Sequence, residues 1–165
     1  NLALYIRNVS RLDILQLIPT DDSGFSERTI GAPSELTQSE VVVLQLQGDL
    51  FFGLADDLDR YFDALALADV RVVVIRLKGT RSMDTTVMHG FSAFSRKLKA
   101  RGAYLLCSGI TPDLKAKLAS YGLVKQLGPG AIFESAETVF ASSRAAVRRA
   151  HELTADTGQT VDEPR

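Results

Sequence analysis

The pattern of apolar and polar positions divides most of the chain into alternating strands and helices. An apolar run at 72–75 has no polar alternation, which is typical of a strand covered on both faces. Apolar residues then recur at spacings of four, three and four from Val87 to Leu98, which predicts the buried face of an α-helix. Asp84 stands just before this run and is the expected N-cap of the helix.

The same patterns predict the other elements. Strands are expected at 2–7, 14–18, 40–47, 103–108 and, as a short segment, 131–133. Helices are expected at 54–68, 111–121 and 135–153, with glycine stops at Gly102 and Gly122. Strands that alternate with helices imply right-handed crossovers and helices packed over a central sheet. We therefore predict an α/β fold with a mixed, mostly parallel sheet of four to five strands and about four helices.

Two segments carry no apolar periodicity. Residues 20–39 are polar and rich in Gly, Pro, Ser and Thr, which predicts a mobile surface loop. Residues 154–165 are polar as well and are predicted to be a disordered tail. The expected domain therefore spans residues 1–153. The chain begins at Asn1 without a methionine or a signal-peptide core, which indicates an excised fragment or a processed chain.

Composition excludes several classes of function. The chain has 165 residues and a formal net charge of −1, so no global charge recruits nucleic acid. No apolar run reaches the roughly 18 residues that a membrane span needs. The one cysteine, Cys107, lies in an apolar run and is predicted to be a buried structural thiol. His89 and His151 lack neighbours at metal-ligand spacing, and no catalytic arrangement is visible, so we expect no metal, no cofactor and no enzymatic activity.

Three stretches resemble the STAS domain family (sulfate transporter and anti-sigma-factor antagonist). The stretch 48–55, GDLFFGLA, is similar to the entry of the first helix in SulP-type anion transporters. The stretch 83–86, MDTT, resembles the family's aspartate-hydroxyl-hydroxyl-glycine turn, with Val87 in place of the glycine. The stretch 130–135, GAIFES, is similar to the short last strand before the C-terminal helix. The resemblance covers residues 40–153 and implies a STAS-like, or SpoIIAA-like, fold.

The resemblance also implies a function. The adjacent pair Phe51 and Phe52 and the start without methionine favour the transporter branch. The chain would then be the cytoplasmic regulatory domain of a bacterial SulP-type transporter of sulfate or a bicarbonate-like anion, on the cytoplasmic side of the inner membrane. Its expected partners are the transmembrane domain of the same transporter, a second copy of itself or a cytosolic regulatory protein, and not nucleic acid.

The turn before the central helix holds the first set of candidate site residues. In antagonists of anti-sigma factors a hydroxyl of this turn is phosphorylated, and Thr86 matches that position. Asp84, Thr85 and Thr86 are therefore candidates for phosphorylation or anion binding. A helix N-terminus also tolerates added negative charge, whereas capping alone would explain Asp84 equally well. Three cations could serve as countercharges or simply lie in solvent: Lys78, Arg81 and Arg96.

A second set of residues is expected to contact a partner. Phe51 and Phe52 are adjacent, so in an extended segment their side chains would point in opposite directions and one could be exposed. His89 falls off the apolar face of its helix and is expected to face solvent. Two alternatives to the transporter domain stay open. One is a free-standing anti-sigma-factor antagonist switched at Thr86, and the other is a nucleotide-binding or anion-binding sensor that uses the strand ends near 80–84 and 108–111.

Overall fold

The computed structural model describes residues 13–21, 24–37, 39–80 and 82–158. Its strands are β1 (Asp13–Pro19), β2 (Phe25–Ile30), β3 (Val41–Gln47), β4 (Val72–Arg76), β5 (Tyr104–Ile110) and β6 (Ile132–Glu134). Its α-helices are α1 (Ala55–Leu67), α2 (Thr85–Ala100), α3 (Pro112–Ser120), α4 (Leu123–Leu127) and α5 (Ala141–Gly158), with 3-10 helices at Pro33–Glu35 and Phe52–Leu54. The predicted strand at 2–7 lies outside the described residues.

The strands form one sheet in the order β2-β1-β3-β4-β5-β6. Neighbouring strands from β3 to β6 are parallel, whereas β1 is antiparallel to both β2 and β3. The predicted mixed, mostly parallel α/β fold is therefore confirmed. The described sheet has six strands instead of four to five, and five α-helices accompany it instead of about four.

The additional strand, β2, lies in the segment predicted to be a mobile loop. Four consecutive residues of β2 are exposed, because the strand forms one edge of the sheet. Such a strand carries no apolar alternation, so the sequence pattern missed it. Thr37, which follows β2, is held by the side chain of Gln16 on β1. This side chain donates to the carbonyl of Thr37 over 2.8 Å and accepts from the N–H of Thr37 over 2.9 Å. The expectation of an unstructured segment over 20–39 is thus wrong for β2 and for the 3-10 helix at 33–35.

Helices α1 to α4 cover one face of the sheet and enclose the larger core. The predicted apolar face of α2 is buried there as expected. Between α1 and α2, the Phe62 ring stacks on Phe94 at 4.2 Å between centroids and meets the edge of Phe91 at 5.1 Å. Helix α5 covers the other face of the sheet, where Ala146 and Ala150 pack in a smaller core. The result is a three-layer arrangement in which the sheet lies between α1 to α4 and α5.

The predicted ends of the helices agree with the structure except at α5. Gly102 and Gly122 follow α2 and α3 with φ of +73° and +82°, as a left-handed helix stop requires. Helix α5 begins at Ala141 and not at 135, because the preceding residue, Phe140, has φ of +61° and cannot belong to a right-handed helix. Val139 lies inside the predicted range but before the observed helix, and its side chain is 58% exposed. The helix continues to Gly158, so residues 154–158, predicted to be disordered, are helical.

Candidate functional site

The candidate site forms where the loops after β3 and β4 are joined at the carboxyl edge of the sheet. The buried hydroxyl of Thr80 donates to the carbonyl of Gly48 over 3.0 Å. The N–H of Leu50 donates to the carbonyl of Ser82 over 3.0 Å. The carbonyl of Leu50 in turn accepts from the N–H of Asp84 over 3.0 Å. These bonds fix the first residue before α2 against the neighbouring loop.

Asp84 is the N-cap of α2, as predicted. Its Oδ1 accepts the N–H of Val87 over 3.0 Å, and its carbonyl accepts the N–H of Met88 over 3.0 Å. The carboxylate therefore satisfies one of the N–H groups that a helix start leaves without a partner. Thr85 and Thr86 follow in the first turn and are both exposed. The three candidate residues lie together, with the carboxylate directed to the helix and both threonines at the surface.

Val87 explains how the turn works without the glycine of the resembling motif. Its side chain is 1% exposed and belongs to the larger core. Because Val87 has helical geometry in α2, no left-handed conformation is needed at this position. The valine anchors the first turn in the core, while the two residues before it face outward.

His89 continues the exposed face of α2. It lies four residues after Thr85 and three after Thr86, so the three side chains share one side of the helix. His89 is exposed, as predicted, and its ring meets Tyr121 edge to face at 5.3 Å between centroids. We call the residues Thr85, Thr86 and His89 the α2 face.

The segment with the two phenylalanines differs from the extended segment that was expected. Phe51 is half-buried against the larger core, and its carbonyl accepts the N–H of Leu54 over 2.9 Å. Phe52 begins a 3-10 helix, and its side chain lies outside the described part of the structure. Because the segment turns into a helix, the rule of opposite directions along a strand does not apply to this pair.

Among the described residues, one of the three possible countercharges, Arg96, lies far from the start of α2. Arg96 lies twelve residues along the helix from Asp84, which is about 18 Å at the helical rise. Its Nη1 donates to the hydroxyl of Ser92 over 2.8 Å. Lys78 is exposed in the loop after β4, whereas Arg81 lies outside the described residues. Of the two interpretations left open for Arg96, the structure therefore does not support a countercharge at this turn.

The strand ends proposed for a nucleotide are occupied by the fold's own bonds. The Oγ of Ser108 is fully buried and lies 3.3 Å from that of Ser143. Thr111 caps α3 through its hydroxyl, which accepts the N–H of Leu114 over 3.3 Å.

Cys107 is buried as predicted, and this burial raises the pKa of its thiol to about 12. Among the described residues, no group of three or more His, Cys, Asp or Glu side chains could hold a metal.

The sequence patterns above did not identify one buried charge, Arg76. Arg76 ends β4 and is 4% exposed, and it hydrogen-bonds through Nη1 to the Gln45 side chain on β3. A signal for it exists in the sequence. Arg76 is two residues after Val74 and four after Val72, so the strand period places it on the same face of a buried strand. A charged residue at such a position needs an explanation.

Comparison with known proteins gives this architecture a context. A family model for the STAS domain matches residues 33–150. A sulfate transporter family protein from Wolinella succinogenes aligns with a TM-score of 0.60 and 25% identity, over 73% of this chain and 93% of its own. The murine Slc26a9 anion transporter aligns with a TM-score of 0.65 and 11% identity, over 92% of this chain and 24% of its own. No curated protein matches the sequence.

The antagonist branch shares the fold too. The Bacillus cell fate determinant SpoIIAA, in its phosphorylated form, aligns with a TM-score of 0.52 and 16% identity, over 70% of this chain and 95% of its own. Within the described part of the chain, no helix is long and apolar enough to cross a bilayer.

Proposed function

Since the chain belongs to the STAS domain family, we propose that it is the regulatory, non-catalytic domain of a SulP-type anion transporter. Domains of this family are generally regulatory interaction modules. In this proposal the domain lies on the cytoplasmic side of the inner membrane and docks onto the transmembrane domain of its own transporter. The transported anion is then sulfate or a bicarbonate-like anion.

The extent of the shared fold carries this proposal. The murine anion transporter follows 92% of the chain, whereas phosphorylated SpoIIAA follows 70%. The sulfate transporter family protein from Wolinella succinogenes adds 25% sequence identity over 73% of the chain. The longer match to the murine transporter supports a transporter origin for this chain.

The α2 face supports a docking role. Its three side chains are exposed on a 16-residue helix whose start is tied to the loop after β3. A surface on a rigid element loses little conformational entropy when a partner binds. Phe51, half-buried in the segment leading to α1, lies at the same edge of the sheet, because Leu50 and Met83 form a parallel bridge.

The gene tests the transporter assignment. We expect the reading frame upstream of Asn1 to encode several apolar runs of about 20 residues, each long enough to span a bilayer. A start codon directly before Asn1 would contradict the proposal and favour a free-standing domain.

Transport by the intact protein tests the docking surface. Cells that express the whole transporter would be assayed for uptake of labelled sulfate and labelled bicarbonate. We expect Thr86→Arg and His89→Glu to change the rate of uptake, because both alter the α2 face without touching the core. Lys117→Gln, an exposed change on α3, is the matched control. Normal uptake in both α2 variants would contradict docking through this face.

A second candidate function rests on the exposure of Thr86. The hydroxyl lies in the first turn of α2, where the helix N-terminus stabilises a phosphate. In this alternative the domain is an anti-sigma-factor antagonist that a partner kinase switches at Thr86. Incubation with ATP and an anti-sigma-factor kinase, followed by mass spectrometry, tests it. Thr86→Ala should abolish the modification and Thr85→Ala should retain it, whereas an unmodified wild-type chain would contradict the alternative.

A further inference from the structure

Arg76 is a buried cation whose bonding is incomplete. Its Nη1 donates to Oε1 of Gln45, and its guanidinium carbon lies 4.3 Å from the centre of the Phe140 ring. Its Nε is buried and, among the described residues, donates to no acceptor. Nor does any carboxylate of the described residues form an ion pair with Arg76. Burial lowers the pKa of its guanidinium, and the negative charge of the exposed Glu27 opposes that shift. A buried charge in this position is costly unless an anion completes its bonding.

A hollow adjoins this side chain. It encloses about 170 Å³ at the carboxyl ends of β4 and β5, between them and the segment that leads into α5. Arg76 and Lys78 supply two positive charges to its lining, and Ser135 and Ser142 supply hydroxyl groups. The exposed carboxylate of Glu137 also borders the hollow.

The first turn of α5 adds a third source of positive potential. Ser142 is the second residue of this 18-residue helix, so its backbone N–H belongs to the turn that lacks intrahelical acceptors. The aligned peptide dipoles give the helix start a partial positive charge, which favours an anion. Arg76, Lys78 and the start of α5 thus border one small space.

We propose that this hollow binds a small tetrahedral oxyanion, phosphate or sulfate, held by Arg76, Lys78 and the N-terminus of α5. Its volume is well below the roughly 300–1,000 Å³ of pockets for drug-sized ligands, so a nucleotide does not fit. Glu137 weakens the binding by repelling the anion. The site uses no residue of the α2 face. A failure of this proposal would therefore not contradict the proposed transporter function, and the reverse also holds.

Titration of the whole chain with sodium phosphate, and separately with sodium sulfate, tests this site. Sodium chloride keeps the ionic strength constant, and the backbone amide resonances of Gly109, Ser142 and Ser143 report on the hollow. We expect saturable shifts of these resonances with one or both oxyanions, and the two titrations show which anion is preferred. Shifts that rise linearly without saturation for both anions would overturn the proposal.

Matched variants separate a specific site from general salt effects. Lys78→Gln should weaken binding by about tenfold or more, since it removes a charge-assisted contact at the surface, where folding is little affected. Glu137→Gln should tighten binding, and Lys117→Gln on α3 should leave it unchanged. Arg76→Gln should abolish saturation, and circular dichroism of this buried variant establishes that it is folded. Equal affinity in Lys78→Gln and the wild type would overturn the proposal.

Discussion

The N–H of Asp84 donates to the carbonyl of Leu50 over 3.0 Å, which ties the start of α2 to the loop after β3. The same aspartate caps α2 through its side chain. Asp84 therefore links the loop after β3 to the first turn of α2. The orientation of the α2 face depends on this joint.

Loss of the cap should cost stability. We expect Asp84→Ala to lower the free energy of unfolding by about 1 kcal/mol, because the N–H of Val87 loses its acceptor. Urea unfolding followed by circular dichroism measures the change. Asp84→Asn is the control and should retain most of the stability, since asparagine caps helices nearly as well. An unchanged midpoint for Asp84→Ala would argue against the cap.

Truncation of a central core residue should cost more. Phe91 is 1% exposed and contacts the Phe62 ring, so Phe91→Ala should destabilise the domain by about 3–5 kcal/mol. Val139→Ala, at a residue that is 58% exposed, should change stability by less than about 0.5 kcal/mol. Thermal and urea unfolding compare the two variants. Near-normal stability of Phe91→Ala would mean that this face of α2 is not in the core.

Two glycines with similar backbone angles should respond differently to alanine. Gly109 and Gly102 have φ of +71° and +73°, so each substitution should cost about 1–2 kcal/mol through the left-handed conformation. At Gly109 the added Cβ would also lie 3.2 Å from the backbone nitrogen of Lys78, whereas no atom lies within 4 Å of it at Gly102. Gly109→Ala should therefore be the less stable variant in urea, and equal losses would contradict this crowding.

Cys107 should make stability depend on pH in the alkaline range. Burial raises the pKa of its thiol from 9.0 to about 12, so above pH 9 the unfolded chain loses this proton while the folded chain retains it. The unfolded state then binds fewer protons, and stability falls as pH rises from 9 to 12, by at most about 1.4 kcal/mol per pH unit from this group. Below pH 9 the effect is absent.

The Cys107→Ala variant isolates this contribution. At pH 8 the variant should be less stable than the wild type because of the lost side-chain volume. Between pH 9 and 10.5 the difference in unfolding free energy between the two proteins should become smaller. Urea titrations at several pH values measure the trend. A difference that stays constant with pH would show that the thiol does not titrate as expected.

Local rules account for much of the fold. The period of the apolar residues is a property of neighbouring positions, so it identified the buried strand β4 and the buried face of α2. Capping also depends on a few adjacent residues, which is why Asp84 was assigned correctly. Helical spacing likewise placed His89 at the surface, near Thr86. For these features the sequence was sufficient because each involves residues within a turn or two.

Other features depend on residues far apart in the chain. The edge strand β2 is exposed and has no apolar pattern, so only its pairing with β1 makes it a strand. The start of α5 is set by the backbone of Phe140, whose ring packs against Arg76 and Phe25.

Local patterns thus predicted the class of fold, the buried strand β4 and the helix α2, and the place of two threonines in the first turn of that helix. The number of strands, the bond between Leu50 and Asp84, and the hollow beside Arg76 are visible only in the folded chain. The physical reason is the range of the interactions. Periodicity and capping act along a few residues, whereas strand pairing and the burial of a charge depend on which distant segments the fold brings together.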